Sequence, residues 1–328
     1  MKERIVFLDY AKVICTFLVV FAHLYTGESV VRLFIYSFHM PFFFLVSGMF
    51  HKELSIADSF KTNFQKIIIP TIFYVAVFIV IYIPLNFLGI IGETQGDFFG
   101  SVKYQFISLV KGLLFGNVAT MPNGVCWFLI VLFYCKILYD IIRKKSIYIY
   151  VYILFFALVV IFKPKYLYIG QAIISFPFYW LGKQWKDKMI LLFRNDNFKY
   201  GRILVMSMLI IAIPLVNGKV SIAAISFGKC IFPIREILFY ACALIGSFLA
   251  LDISSYFNNK NKIVTEISSS LISIVGFQSI FCRLYGHLIG KDQNVLFSAV
   301  ISILIMFFCI AMHKISIKLF PAVFGKRK

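Results

Sequence analysis

The chain has 328 residues, of which 61% are hydrophobic, 18% aromatic and only 14% charged. Soluble domains carry roughly a quarter charged residues, and one soluble core of this length cannot hide so much apolar surface, whereas a lipid solvent lets the outer face stay apolar. The net charge of +19 does not indicate nucleic-acid binding, which needs a basic face on a soluble module, because Lys and Arg sit mainly in short loops between apolar runs.

Those runs fall at 5–25, 33–50, 67–90, 125–142, 147–162, 167–185, 203–217, 231–251, 263–285 and 294–316. Most reach the roughly 17–25 residues that a membrane-crossing helix needs; 147–162 and 203–217 are short. They are too long, and alternate too little, for the strands of a membrane β-barrel. The expected fold is all-α: a polytopic integral membrane protein of about ten transmembrane helices in a single domain over 1–328. Lys2 and Arg4 resemble the basic start of a signal peptide. Asp9 and Lys12 interrupt the run that follows and no small-x-small cleavage site appears, so the first run is read as an uncleaved helix.

Loop charge sets the expected orientation. With the N-terminus inside, the inner segments collect Lys52, Lys61, Lys66, Arg143, Lys144, Lys145, Lys183, Lys186, Lys188, Arg194, Lys199, Arg202, Lys260 and Lys262. The tail adds Lys314, Lys318, Lys326, Arg327 and Lys328, while the outer loops, Lys291 included, hold far fewer basic residues. This positive-inside bias predicts cytoplasmic termini and an even number of helices. The longest outer segment, 91–124, contains an amphipathic stretch around Val102–Phe115, expected to cap an outer cavity or to lie at the interface.

Ionisable residues inside a span are functional candidates, because burying them is costly. The first run has Asp9, Lys12 and His23. Lys12 and His23 are eleven residues apart, which on a helix places them nearly on one face and about 16 Å apart along the axis. Asp9 and Lys12, at i and i+3, can partly neutralise each other; the alternative is that they only anchor the helix end, and that His23 is a packing histidine. The second run carries His39 and Pro41 in FHMPFFFLVSGMF. With a turn near Gly27–Arg32, His23 and His39 come toward one outer end, where they line a cavity or, for His39, bridge helices. Lys61 and Lys66 in SFKTNFQKIIIP stand at the cytoplasmic mouth, as anion holders or as topology signals. Arg235 and Glu236, near the outer end of the eighth run, form an unusual adjacent pair that is expected to line the cavity. The seven cysteines show no CxxC and read as packing residues. The five His are scattered, so no metal site is expected.

RIVFLDYAKVICTFLVVFAH followed by FHMPFFFLVSGMF resembles the opening of membrane acyltransferase family 3, in particular the branch of fucose 4-O-acetylase-related sugar O-acetyltransferases. The family pattern places an Asp, then Arg or Lys three residues on, then His eleven later; here these are Asp9, Lys12 and His23. CWFLIVLF (Cys126–Phe133) is similar to the family's WFL segment and FPFYWLGKQW (Phe176–Trp185) to its FFLLG segment. Trp127, in the first of these, joins the expected substrate-binding residues His39, Arg235 and Glu236. The family's RxxR pair before the third helix is matched only by Lys66, because Asn63 stands in the first place; Lys61 is the candidate replacement. Gln278 stands about where relatives often carry a penultimate-helix His.

The resemblance implies transfer of an acyl group, usually acetyl, from cytosolic acetyl-CoA to a hydroxyl of an envelope or exported carbohydrate, without a metal. It implies His23 as the essential His, Lys12 as its basic partner, and Lys61 and Lys66 as binders of acyl-CoA. The implied setting is the cytoplasmic membrane of a bacterium, among membrane lipids and beside envelope polysaccharide machinery, with no nucleic-acid partner. Two readings compete: a transporter of sugars or polysaccharide precursors, which would show paired broken helices in an internal repeat, and a non-catalytic scaffold in polysaccharide export.

Overall fold

The computed structural model describes residues 4–25, 30–91, 97–194, 198–290 and 294–325. Lys2, Gly27–Ser29 of the turn expected near Gly27–Arg32, Lys291 and Lys326–Lys328 lie outside the described residues. Among the described residues the fold is helical throughout: α1 (Val6–Leu24), α2 (Val30–Met49), α3 (Ile56–Asn63), α4 (Ile69–Phe87), α5 (Phe98–Leu114), α6 (Trp127–Ile142), α7 (Ile147–Phe162), α8 (Ile169–Arg194), α9 (Lys199–Asn217), α10 (Ile234–Ser254), α11 (Lys262–Ser269), α12 (Leu271–Leu288) and α13 (Val295–Leu319). The β pairing among them is an isolated bridge between Ser221 and Ser226.

Among the described residues eight helical stretches are long and apolar enough to cross a membrane. The other two expected runs are also helical: α7 has 16 residues, and α8 is apolar in its first half and charged in its second. Two boundaries differ from the sequence reading. The third span is continuous from Ile56 to Phe87 through a π-helical turn, Phe64–Ile68. Pro70 has no N–H to give the Lys66 carbonyl, and its ring displaces that carbonyl, so the ladder widens and the Ile69 N–H bonds Phe64 O. The run at 263–285 is instead two helices, α11 and α12, parted at Ser270.

Packing divides the chain into two compact units. One comprises Met1–His51, Ser175–Ile222 and Ser226–Leu271. Within it α1 packs on α2, α10 and α11, and α2 packs on α9 and α10. Leu8, Ala11 and Cys15, spaced at helical period, are fully buried. A close approach of backbones in this unit joins α2 to α8. A Cβ on Gly48 would sit 1.9 Å from the Tyr179 carbonyl oxygen, and one on Gly182 would sit 1.9 Å from that of Leu45. Small residues let membrane helices approach this closely.

The other unit comprises Lys52–Ile174, Ala223–Ile225 and Ile272–Lys328. Its centre is Tyr74 of α4, whose ring lies over Gly276 of α12. The Tyr74 hydroxyl is 2.7 Å from Ser273 Oγ, which is 2.6 Å from His313 Nδ1. Asn123 Nδ2 donates to Gly276 O at 2.8 Å. Helix α5, the amphipathic stretch of the sequence reading, is polar toward the protein: Ser101, Gln105 and Gly112 are buried, while Phe99 and Phe106 are exposed. Asp97 caps its start by accepting from the Gly100 N–H at 2.8 Å.

Candidate active site

The functional candidates of the first unit begin on α1, which runs unbroken from Val6 to Leu24. The eleven-residue spacing of Lys12 and His23 is therefore a true helical one. Asp9 is buried and holds more partners than the expected Lys12. Lys12 Nζ stands 3.6 Å from Asp9 Oδ1. Ser268 of α11 donates to the same oxygen at 2.5 Å, and Arg4 Nε donates to Oδ2. Arg4 also reaches Thr265 O at 3.1 Å. Asp9 thus ties the start of α1 to α11, and a buried carboxylate with several donors is well compensated.

With Asp9 so engaged, Lys12 turns toward the end of α2. Its Nζ lies 4.9 Å from the Phe50 ring centroid, and Lys186 Nζ lies 5.5 Å from the same centroid. Both are within cation–π range of about 6 Å. Next to Phe50, buried His51 places Nδ1 2.6 Å from the Tyr179 hydroxyl, and Lys183 Nζ donates to His51 O at 3.3 Å. The close approach of the Gly48 and Gly182 backbones to the facing helices explains this gathering. It seats α8 against α2, and Lys183 and Lys186 follow Gly182 within about one helical turn. Three ammonium groups converge at Phe50–His51, a setting that attracts anions.

At the other end of α1, His23 occupies the last turn and is exposed. His39 is buried, with Nδ1 2.7 Å from Ile35 O. A carbonyl only accepts, so Nδ1 carries the proton, and in the neutral ring Nε2 is the basic nitrogen. The hydrogen bond is to its own helix rather than a bridge to another. His23 lies within electrostatic reach of His39. Arg235 Nε donates to Glu236 Oε1 at 2.7 Å in the first turn of α10. Asn217 Nδ2 donates to Arg235 O at 3.3 Å and to Phe227 O at 2.7 Å. Glu236 Oε2 is buried without a hydrogen-bond partner among the described residues, leaving an acceptor for an incoming hydroxyl.

In the second unit, Lys61 lies on α3 and Lys66 on the π-helical turn, both exposed. Such turns recur at functional sites. Asn63, which stands where relatives carry Arg, folds back to give Nδ2 to Ser59 O at 2.8 Å and Ser59 Oγ at 3.1 Å. Lys136 of α6 is within electrostatic reach of Lys66; the sequence reading passed over it inside an apolar run. Trp127 is buried at the first turn of α6. Asp140 is fully buried against Arg143 Nε at 2.9 Å and the Leu54 N–H at 3.3 Å. Among the described residues no group of three or more His, Cys, Asp or Glu is placed to hold a metal ion.

Sequence reasoning missed Ser268, His51, Tyr179, Lys136 and His313. A Lys within an apolar run was a usable signal for Lys136; the others depend on contacts between segments distant in sequence. No curated protein and no solved structure matches the chain. The family of acyltransferase domains matches residues 5–314, nearly the whole chain, and with that match the protein belongs to membrane acyltransferase family 3.

Proposed function

We propose that the protein transfers an acetyl group from cytosolic acetyl-CoA to a hydroxyl of an envelope or exported carbohydrate, acting in a bacterial cytoplasmic membrane with both termini inside. The observation that carries this reading is helix α1. It holds Lys12 in a compensated charge cluster at one end and an exposed His23, within electrostatic reach of His39, at the other.

In this reading His23 takes the proton of the acceptor hydroxyl. The oxygen attacks the thioester carbonyl, the C–S bond breaks, and the imidazolium returns the proton to the leaving CoA sulfur. A sugar hydroxyl and an acyl thioester give an ester and a free thiol. The thioester is already activated, so proton transfer is the assistance required. His39, with Nε2 as acceptor, and Glu236 Oε2 orient the acceptor hydroxyls, with Arg235 as a further substrate contact. Asp9 positions α1 and Lys12. Lys61 and Lys66 attract the phosphates of CoA, and Lys136 joins them.

The test is His23→Ala compared with wild type at matched protein level, reading ester-linked acetate on envelope glycans by mass spectrometry. Loss of about a hundredfold or more is expected for a general base. Near wild-type acetylation would remove His23 from the mechanism.

A further inference from the structure

We propose that a cavity of the second unit, at the end of α4 remote from Lys66, binds a saccharide unit that carries a carboxylate. The cavity measures about 430 Å³ and is lined by Tyr82, Asn86, Gln105, Ser108, Thr120 and Arg283, among others. Its size falls within the roughly 300–1,000 Å³ of small-molecule sites.

Three observations select the ligand. Helix α5 is inverted for a surface helix. Gln105 and Ser108 face the cavity, and Phe99 and Phe106 face outward, so the chain spends its polar residues on lining this space. Gln105 is 3% exposed, yet its Oε1 has no hydrogen-bond partner among the described residues. An unmet buried acceptor is costly and calls for a donor, which a sugar hydroxyl supplies and a lipid phosphodiester does not. Arg283 lies in a membrane-spanning helix, where a charge is expensive unless it serves a function. Its guanidinium sits 5.0 Å from the Phe78 ring centroid and 5.6 Å from that of Tyr82. Among the described residues no carboxylate pairs with it and no Asp or Glu lines the cavity.

A guanidinium held within cation–π range of aromatic rings still has N–H groups to offer a carboxylate, and a planar fork suits a bidentate pair. Tyr82 and Tyr104 add flat faces for a sugar ring. On the orientation expected from loop charge, the cavity lies on the side away from the cytoplasm. Naming this ligand as the acyl acceptor rests on the function proposed above; its binding does not.

The experiment uses the full chain in phosphatidylcholine nanodiscs, without acyl donor. It is titrated calorimetrically with a glucuronic acid–glucose disaccharide and with the neutral glucose disaccharide of the same linkage. The acidic sugar should bind roughly tenfold tighter or more, the scale of one charge-assisted hydrogen bond. Arg283→Gln should erase that preference, Arg283→Lys should keep part of it, and Gln105→Leu should weaken both sugars. Size-exclusion profiles establish that each variant is folded. Equal affinity for both sugars in wild type, binding of neither at millimolar concentration, or an unchanged preference in Arg283→Gln would each overturn the proposal. So would acidic-sugar binding that phosphatidylglycerol nanodiscs abolish in wild type, which would assign Arg283 to a lipid headgroup. Because no acyl donor is present, His23→Ala separates the two ideas: it should lose transfer and keep the sugar preference.

Discussion

Replacing Gly182 by Ala tests whether the close contact of α2 and α8 builds the candidate site. The added Cβ would meet the Leu45 carbonyl oxygen at 1.9 Å, its carbonyl carbon at 2.8 Å and its Cα at 3.1 Å. All three are backbone atoms, so no side chain can swing aside. Restoring ordinary contact at 3.4 Å needs an opening of about 1.5 Å between the helices. Overpacking of this kind costs about 1–3 kcal/mol, offset in part by the roughly 1 kcal/mol by which Ala favours a helix over Gly. The effect on activity should exceed the effect on stability. The same interface carries the Tyr179–His51 and Lys183–His51 hydrogen bonds and brings Lys186 to Phe50. The assay pairs the thermal midpoint of the purified protein with glycan acetylation at matched protein level. We expect a lowered midpoint and at least a tenfold loss of transfer, about the effect of 1.4 kcal/mol on the barrier. Gly201→Ala is the control, since nothing lies within 4 Å of its added Cβ, and it should be neutral or slightly stabilising. A Gly182→Ala protein as stable and as active as wild type would refute the reasoning.

Three further outcomes follow from particular contacts. Arg202 bonds Asp252 through Nε at 2.6 Å and Nη2 at 2.5 Å, and Asp252 is fully buried; Arg202→Ala should cost about 3–5 kcal/mol, as loss of one partner of a buried pair does, measured as a fall in thermal midpoint. Lys12→Arg should retain acyl transfer and Lys12→Ala should lose most of it with protein level unchanged, read by glycan acetylation; equal activity of the two would make the charge irrelevant. Lys61→Ala with Lys66→Ala should raise the apparent KM for acetyl-CoA severalfold in isolated membranes, and an unchanged KM would reduce both lysines to topology signals.

The helices were legible in the sequence because lipid imposes long apolar runs with basic gaps between them, and every expected run contains a helix. What escaped were features set by single backbone atoms. The apolar pattern does not reveal that Pro70 widens the third span into a π-turn, which happens because one N–H is missing and one carbonyl is displaced. Nor does it reveal the break at Ser270, since Ser is common within spans. The amphipathic character of Val102–Phe115 was visible, but its direction was not: in a membrane the apolar face of a helix can turn outward, so the moment alone does not say which side meets the protein.

The site was legible where its residues share a helix and hidden where they do not. Asp9, Lys12 and His23 follow from spacing on α1, and the i,i+3 geometry led naturally to an Asp9–Lys12 pair. The structure gives Asp9 two nearer partners, Arg4 and Ser268, and this changes what a substitution at Lys12 means. Removing Lys12 leaves Asp9 compensated, so a loss of activity in Lys12→Ala cannot be assigned to an orphaned carboxylate. It reports instead on the positive charge beside Phe50, which Lys186 shares. Asp9→Asn isolates the opposite case, because it weakens the tie between α1 and α11 while the Lys12 charge remains. Activity that falls in Lys12→Ala and survives in Asp9→Asn would place the requirement in the charge; the reverse pattern would place it in the anchoring of α1.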